Sequence, residues 1–181
     1  MDDEILTRQV ETLYREHSEY VFRIALFLTK SKVLAEDVLQ ETFIKVLQKY
    51  SSYDTSKSFK PWVYSIAVNT VRNMIRKNKW HSLFGVITEV EDNHYVDEIV
   101  LQSEENKELW REVTNLSLKS REVIVLHYYL GYKLTEVAEI LNIPLGTCKS
   151  RLNSALNSLK KRIAKVNFNI DDEGGRTYET N

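Results

Sequence analysis

Apolar residues recur every three or four positions along most of this chain, which is the period of amphipathic α-helices. Three such stripes lie in the first part: Val10, Leu13, His17, Val21, Ile24 and Leu28; Ala35, Val38, Leu39, Phe43, Val46, Leu47 and Tyr50; Val63, Ile66, Ala67, Val71 and Ile75. Pro61 suits the first turn of the third helix, where its missing N–H costs no hydrogen bond. Residues 29–34 and 51–58 are predicted loops. The pattern predicts a three-helix bundle over residues 1–78.

Four further stripes predict a second bundle over residues 106–168. They comprise Leu109, Val113 and Leu116; Val123, Val125, Leu126 and Tyr129; Leu134, Val137, Ala138, Ile140 and Leu141; Leu145, Cys148, Leu152, Ala155, Leu156, Leu159 and Ile163. Gly131 is predicted to end the second of these helices. The last two helices flank a tight turn at Asn142, Ile143 and Pro144, and this arrangement matches a helix-turn-helix.

The stretches outside the stripes complete the predicted architecture. Residues 79–105 show no sustained periodicity and are predicted to be a flexible linker, and the polar residues 169–181 are predicted to be disordered. Only five glycines and two prolines occur, which disfavours a sheet with its many turns. The predicted fold class is all-α, with two small helical bundles joined by an acidic linker and the helix-turn-helix in the second bundle.

Charge is segregated along the chain although the net charge is only -1. Residues 55–88 and 140–170 each contain six lysines and arginines and no acid, whereas residues 89–108 contain eight acids against Lys107 alone, a net charge of -7. Such a segregation can arise by chance on solvated surfaces. Two acid-free windows are nevertheless typical of binding to a polyanion such as nucleic acid.

Composition also excludes several classes of protein. A single cysteine, Cys148, rules out an internal disulfide, and it is predicted to be a small buried hydrophobic residue. The four histidines lack the spacing of metal ligands, and no motif pairs a nucleophile with a base or cradles a phosphate. No apolar run is long enough for a membrane span, and the N-terminus is acidic. We therefore expect a cytoplasmic protein that is not an enzyme and has no cofactor and no small-molecule substrate.

The last predicted helix presents a polar face of the kind that reads DNA. If its apolar stripe faces the core, Lys149, Ser150, Asn153 and Ser154 lie mostly outward. These side chains donate and accept hydrogen bonds to base edges and phosphates from a helix in the major groove. The sequence thus indicates DNA binding, without yet defining the kind of regulator.

Two blocks define the kind of regulator by resemblance. LAEDVLQETFIKVLQKY and FKPWVYSIAVNTVRNMIRK resemble region two of the extracytoplasmic-function (ECF) group of bacterial sigma-70-type sigma factors. REVIVLHYYLGYKLTEVAEILNIPLGTCKSRL resembles region four of that group, including its Gly-Thr-X-Lys-Ser-Arg signature. The blocks occur in the family's order and cover roughly residues 10–165.

The resemblance implies that the chain binds core RNA polymerase, reads the -35 promoter element with region four and melts the -10 element with region two. An anti-sigma factor is implied as a further partner. The -35 contacts are expected from Lys133, Thr135, Thr147, Lys149, Ser150, Arg151, Asn153 and Ser154. Where the family often has a basic or aromatic pair after the signature, this chain has Asn153 and Ser154, which removes long cations from that position.

Region two of the family supplies two further sets of expected contacts. Polymerase docking is expected from Asp37, Gln40, Glu41 and Phe43, although Phe43 equally suits the core. Contacts to duplex and single-stranded DNA at the -10 element are expected from Tyr53, Lys57, Phe59, Lys60, Trp62, Tyr64, Asn69, Arg72 and Arg76. Aromatic rings beside cations provide the stacking and backbone neutralisation that single-stranded bases require. Packing at the helix start is the competing role for Phe59 and Trp62.

Two other classes of protein stay open on the residues alone. A conventional helix-turn-helix regulator would bind duplex DNA without polymerase, usually as a dimer. A helical interaction protein, such as an anti-sigma factor or adaptor, would bind polymerase without DNA, and the acid-free windows disfavour it. The acidic linker has two hypothetical roles: it mimics nucleic acid in the polymerase channel, or it masks the basic faces of the free protein.

Overall fold

The computed structural model describes the backbone of residues 2–83 and 104–173 and the side chains of residues 6–78 and 109–163. The predicted linker role of residues 84–103 and the end of the predicted disordered tail, residues 174–181, lie outside these ranges. Within them the chain is built of helices and turns, with no β-strand, so the predicted all-α class is confirmed.

The first bundle contains three α-helices: α1 (Asp2–Thr29), α2 (Lys32–Lys49) and α3 (Phe59–Leu83), with a 3-10 turn at Tyr50–Ser52. Lys30 adopts a left-handed φ of 61°, and the Ser31 hydroxyl accepts a hydrogen bond from the Leu34 N–H at 3.3 Å. Such a cap contributes about 1 kcal/mol. The link between α1 and α2 is therefore much shorter than the predicted loop over residues 29–34, and α3 extends into the stretch predicted as linker.

The core of the first bundle follows the predicted stripes closely. Val21, Ile24, Val38, Val46 and Val63 are fully buried. The prediction that every residue of the second stripe is buried was wrong for Leu47, which is 41% exposed. The reason is that α1 and α3 cover the side of α2 that carries Val38 and Val46, and Leu47 lies at the edge of that side.

The second bundle contains α4 (Glu104–Thr114), α5 (Leu118–Ile124), α6 (Leu134–Leu141) and α7 (Leu145–Glu173). Helix α5 continues into a π-helical turn, Val125–Tyr129. Gly131, at a φ of 74°, follows this turn, as expected of a glycine that ends a helix. The long last helix extends to Glu173, where the sequence predicts disorder from residue 169.

The predicted helix-turn-helix is formed by α6 and α7. Asn142 takes a left-handed φ of 51°, and the Ile143 N–H donates to the Ala138 carbonyl at 3.0 Å, which closes the end of α6. At its start the Lys133 N–H donates to the Glu136 carboxylate at 2.7 Å. Both ends of the short helix are therefore capped by hydrogen bonds to nearby residues, and α7 begins at Leu145, directly after the turn.

Three residues of the predicted core of the second bundle lie at its surface. Leu109, Leu156 and Ile163 are 42%, 39% and 37% exposed. The first two line an apolar groove of about 320 Å³ together with Trp110, Val113, Ile124, Tyr128 and Leu159. The prediction of a buried face was wrong there, because α4, α5 and α7 meet around an open groove rather than a closed core.

The two bundles pack against each other. The Phe27 ring of α1 lies 4.4 Å from Trp110 and 4.9 Å from Tyr129 of the second bundle, measured between ring centroids. Arg23 donates to the Tyr129 hydroxyl at 3.1 Å, and Tyr64 meets Tyr132 edge-on at 6.0 Å. Aromatic pairs of this kind contribute roughly 0.5–1.5 kcal/mol each beyond the area they bury. The apolar core thus runs from one bundle into the other.

Candidate nucleic-acid interface

The polar face predicted on the last helix is present on α7. Lys149, Ser150, Asn153 and Ser154 are all exposed, and they lie one helical turn apart in pairs. The buried stripe beneath them includes Cys148 and Ala155, both with no exposed surface. Burial raises the pKa of the Cys148 thiol, as expected of a small core residue rather than a reactive thiol. The face offers one cation and three short polar groups to a partner.

Thr147 and Arg151 sit at the border between this face and the core. Thr147 is half-buried, and its carbonyl accepts a hydrogen bond from the Ser150 hydroxyl at 3.0 Å. The Arg151 side chain is 20% exposed, and its Nη1 lies 4.0 Å from a carboxylate oxygen of Glu122. In this conformation Arg151 turns inward, away from the exposed polar face.

The start of α6 carries the two remaining residues of the predicted -35 set. Lys133 and Thr135 are both exposed beside the helix N-terminus. Glu136 occupies part of that terminus, because its carboxylate accepts from the Lys133 N–H. A phosphate bound there would contact the Lys133 side chain and the Thr135 hydroxyl, because one of the backbone N–H groups at this terminus already donates to Glu136.

The loop between α2 and α3 is held by its own polar groups. Asp54 accepts hydrogen bonds from the Ser56 N–H at 3.1 Å and the Ser56 hydroxyl at 2.7 Å, and these bonds lower the pKa of the Asp54 carboxyl. The Tyr53 hydroxyl donates to the Lys57 carbonyl. The loop is thus a folded turn that presents Lys57 to solvent.

Three of the aromatic residues predicted for the -10 element form one cluster beside this loop. The Tyr53 ring lies 4.7 Å from Trp62 and 5.7 Å from Phe59. Tyr53 and Trp62 are half-buried, whereas Phe59 is 8% exposed and stacks on His17 of α1. Phe59 is therefore a packing residue in this structure, and Tyr53 and Trp62 retain surface for stacking.

Tyr64 does not belong to this surface. It is 2% exposed, and its ring faces Tyr132 of the second bundle. Burial strongly raises the pKa of its hydroxyl. Its expected contact with DNA conflicts with this position, because α3 turns that side towards the second bundle, which the period of a single helix does not indicate.

The polar residues of α3 differ in how far they are engaged. Lys60, Asn69 and Arg76 are exposed, and Arg76 donates to Asn73 at 3.2 Å. Arg72 instead makes two hydrogen bonds to the Glu122 carboxylate, from Nε and Nη2, both at 2.7 Å. These bonds, against the opposing effect of burial, raise the pKa of Arg72. Glu122 itself is fully buried.

The outer side of α2 carries the residues predicted to dock on polymerase. Asp37 and Gln40 are exposed, and Glu41 is half-buried in an ion pair with Lys45 at 3.1 Å. Phe43 is 7% exposed and packs edge-on against Tyr14 at 4.8 Å, so it lies in the core of the bundle.

Sequence reasoning missed apolar residues on this same side of α2. Val33, Ile44 and Leu47 are 55%, 50% and 41% exposed. With Asp37 and Gln40 they recur at alternating steps of four and three, which is the spacing of a coiled-coil seam. The sequence does contain an indication of this surface, because Val33 and Ile44 are apolar residues that lie outside the predicted core stripe of α2.

Glu122 is the other functional candidate that the sequence did not reveal. It precedes an apolar run, VIVLHYY, and the partner that the sequence suggests is Lys119, three residues earlier on the same helix. Its partner in the structure, Arg72, is contributed by the other bundle.

No group of candidate metal ligands and no helix suited to cross a membrane occurs among the residues that the structure describes.

Comparison with known proteins agrees with this geometry. Residues 13–81 match the family model for sigma-70 region 2, and residues 106–159 match the model for sigma-70 region 4. The chain is 33% identical over 140 residues to the ECF RNA polymerase sigma factor SigW of Bacillus subtilis, covering 71% of this chain and 75% of SigW. It is 32% identical over 169 residues to SigM of the same organism, covering 91% of this chain and 99% of SigM.

A solved structure extends the likeness to the fold. The chain superposes on the sigma factor RpoE of Bartonella quintana, solved with the anti-sigma factor NepR, with a TM-score of 0.70 at 22% identity. The aligned region covers 87% of this chain and 98% of RpoE. Fold and interface together define a two-bundle helical transcription factor with a helix-turn-helix. The chain belongs to the sigma-70 family, within its ECF group of RNA polymerase sigma factors.

Proposed function

We propose that this sigma factor divides promoter recognition between its two bundles, residues 1–78 opening the -10 element and residues 106–168 reading the -35 element. The observation that carries this division is the exposed, acid-free polar face of α7, which belongs to a helix-turn-helix. Helices presented in this way enter the major groove and read base edges with side chains near their N-terminus.

At the -35 element Lys149, Ser150, Asn153 and Ser154 make the principal contacts. Lys149 suits guanine or phosphate, Asn153 can pair with adenine, and the two serines serve either base or backbone. Lys133 and Thr135 contact phosphate from the start of α6, and such contacts fix the register without specifying sequence. Thr147 and Arg151 border this face, and Arg151 contributes to it when its side chain moves away from Glu122.

At the -10 element the aromatic cluster and the neighbouring cations act together. Tyr53 and Trp62 offer partly exposed rings to unpaired bases, and the polar loop between α2 and α3 captures one of them. Stacking contributes about 1–3 kcal/mol per base. Lys57, Lys60, Arg72 and Arg76 neutralise the strand, with Asn69 beside them. Phe59 and Tyr64 support this surface from within.

Core polymerase docks on the outer seam of α2. The exposed positions Val33, Asp37, Gln40, Ile44 and Leu47, with Glu41 at their edge, form a stripe that fits a helical partner such as the clamp coiled coil of the largest polymerase subunit. The stripe combines exposed apolar and polar side chains, as protein interfaces commonly do.

The remaining parts of the proposal follow from the family. The chain acts in the cytoplasm, where an anti-sigma factor sequesters it, held at the membrane in one form of this regulation. The likeness to RpoE, whose structure contains NepR, supports such a partner. Catalysis belongs to the polymerase, and this chain contributes neither a cofactor nor a small-molecule site.

In vitro transcription tests the proposal. Bacterial core polymerase is combined with a fragmented genomic library, with and without the protein, and 5′ ends are mapped. We expect protein-dependent starts that share two spaced motifs. A protein that shifts duplex DNA alone and yields no such starts would instead be a conventional helix-turn-helix regulator, and the assignment of the first bundle would be wrong.

A further inference from the structure

A lysine of the first bundle bridges helices α2 and α3. The Lys45 ammonium lies 3.1 Å from Oε1 of Glu41 on α2 and donates a hydrogen bond to the Thr70 hydroxyl of α3, also at 3.1 Å. We propose that Lys45 is a positioning residue for polymerase docking: anchored on Thr70, it holds the Glu41 carboxylate at the edge of the docking stripe. This inference rests on the proposed docking function of α2.

The side chains concerned follow one another round α2, from the docking stripe towards α3. Counted from Ile44 at about 100° per residue, Glu41 lies roughly 60° round the helix and Lys45 roughly 100° in the same sense. The Glu41 side chain is 43% exposed and the Lys45 side chain 27% exposed. Lys45 therefore lies behind Glu41, between that carboxylate and α3.

Thr70 gives this arrangement a fixed point. It is 1% exposed, so its hydroxyl belongs to the body of the bundle rather than to the surface. A lysine stem is flexible, and an exposed ion pair of i,i+4 spacing constrains it little. Lys45 differs from such a lysine because its ammonium is held by a hydroxyl of a second helix as well as by the carboxylate.

The contact with Lys45 leaves Glu41 able to bind a partner. Lys45 contacts Oε1, and an ionised carboxylate can accept hydrogen bonds at about four lone-pair positions on its two oxygens. Glu41 can therefore accept from Lys45 and from a donor of the polymerase together. A side chain that is already held loses less conformational freedom on binding, so the affinity of the interface is higher.

A purely structural tie between the helices is the alternative role for Lys45. Helices α2 and α3 already pack through the apolar core of the first bundle, which includes Val46 and Val71. A partly exposed ion pair adds little to the stability of such a bundle. We therefore expect Lys45→Met to leave the free energy of unfolding nearly unchanged and to act on docking.

A double-substitution cycle in binding to core polymerase tests the inference. Fluorescence anisotropy of the full chain, labelled at its N-terminal amine, measures the affinity of bacterial core polymerase for the wild type, Lys45→Met, Glu41→Gln and the double variant. We expect Lys45→Met alone to weaken binding roughly fivefold. It should have no effect when Glu41→Gln is already present, because Lys45 acts only through that carboxylate.

Substitutions of the anchor test the other end of the bridge. Thr70→Val removes the hydroxyl but keeps both charges, and we expect a loss of roughly twofold to threefold, again only while Glu41 is present. Thr70→Ser keeps the hydroxyl and should bind as the wild type.

The matched control is Lys49→Met, which removes an exposed lysine of the same helix. Its affinity for core polymerase should stay at the wild-type value, which separates the bridge from an effect of net charge. Urea unfolding followed by circular dichroism verifies that each variant is folded and compares its stability with that of the wild type.

The inference fails if Lys45→Met binds core polymerase as the wild type does. An equal loss with and without Glu41→Gln would also overturn it, because Lys45 would then contact the polymerase itself or support the fold. Wild-type affinity in Thr70→Val would overturn the role of the anchor. Failure of the proposed docking function is distinguishable: Glu41→Gln and Ile44→Asp would then both bind as the wild type, and the role of Lys45 would fall with it.

Discussion

Helices α7 and α3 carry the two proposed DNA surfaces and are packed in different ways. Helix α7 buries one stripe, including Cys148 and Ala155, and leaves the opposite face in solvent. Helix α3 is covered on two sides, by its own bundle and by α6, so that Tyr64, Ala67, Val68 and Val71 are all buried. The proposed recognition helix thus keeps its polar face in solvent, whereas the proposed melting helix is partly covered by the other bundle.

The two surfaces therefore differ in how far their side chains are engaged within the protein. The polar groups of α7 are exposed to solvent, whereas Arg72 of α3 is bound to Glu122. The stripe proposed for polymerase docking lies on a third helix, α2. The contributions of the two helices can be separated by substitution, and reversing a charge on α7 should have the largest effect.

Reversing the charge on α7 should abolish promoter reading while sparing the fold. In Lys149→Glu an exposed cation becomes an anion beside phosphate, and we expect transcription from a -35-dependent promoter to fall roughly 100-fold, since a base or phosphate contact contributes about 1–3 kcal/mol and repulsion adds to its loss. Run-off transcription measures the effect. Lys160→Glu, exposed on the same helix beyond the proposed contacts, is the control, and an equal loss there would contradict the assignment.

The melting surface should respond to the loss of an aromatic ring. Trp62→Ala removes a ring that lies 4.7 Å from Tyr53, and we expect roughly tenfold weaker binding of the polymerase complex to a forked -10 template. Trp62→Phe should retain most of the binding, because a smaller ring still stacks. Filter binding with forked and fully duplex templates distinguishes melting from duplex recognition. Equal losses on both templates would argue against a role in base capture.

The docking seam should be separable from both DNA surfaces. Ile44→Asp places a charge in the middle of the exposed stripe on α2, and we expect affinity for core polymerase to fall by roughly tenfold because the charge must be desolvated in the interface. Fluorescence anisotropy of the labelled chain with core polymerase measures it. Lys49→Asp, also exposed on α2 but roughly 140° round the helix from Ile44, should bind as wild type; if both variants bind equally, the docking face lies elsewhere.

The smallest expected effect is a dependence of the first bundle on pH. Burial, opposed by Glu16 and assisted by Lys60, lowers the pKa of His17 below its ordinary value of 6.5. The unfolded chain therefore binds a proton more readily, so the contribution of neutral His17 to the free energy of unfolding is full above pH 6.5 and is lost as pH falls towards the folded pKa.

Urea unfolding at pH 7.5 and 5.5 measures this dependence. His17→Phe keeps a ring against Phe59 and removes the titrating group, so the loss of stability between the two pH values should be smaller than in the wild-type chain. An identical loss in both proteins would show that other groups account for it.

Periodicity predicted most of the fold because each bundle buries stripes of three- and four-residue spacing. It located the helix-turn-helix and Gly131, and it placed Lys149 and Asn153 outside the core. It could not foresee that Tyr64 is covered by the second bundle, because a contact between distant segments leaves no period in either sequence. For the same reason the sequence gives no indication that Glu122 pairs with Arg72 of the first bundle.

The exposed seam of α2 shows the complementary limit. A stripe of apolar residues indicates burial but not what covers it. Leu47 was predicted to be in the core because it lies on α2 at the boundary between the apolar stripe that packs inside the bundle and the exposed face. Steps of four and three run from Val33 to Leu47, but core stripes share this spacing, so it is the exposure of Val33, Ile44 and Leu47 in the structure that marks a candidate docking surface.

Site-specific photocrosslinking in the open promoter complex tests the division of labour most directly. A photoreactive residue replaces Lys149 of α7 or Trp62 of α3, and the crosslinked nucleotides are mapped on both strands. We expect crosslinks from position 149 to the upstream duplex and from position 62 to an unpaired strand at the -10 element. Crosslinks from both positions to the same element, or from position 62 to duplex alone, would contradict it.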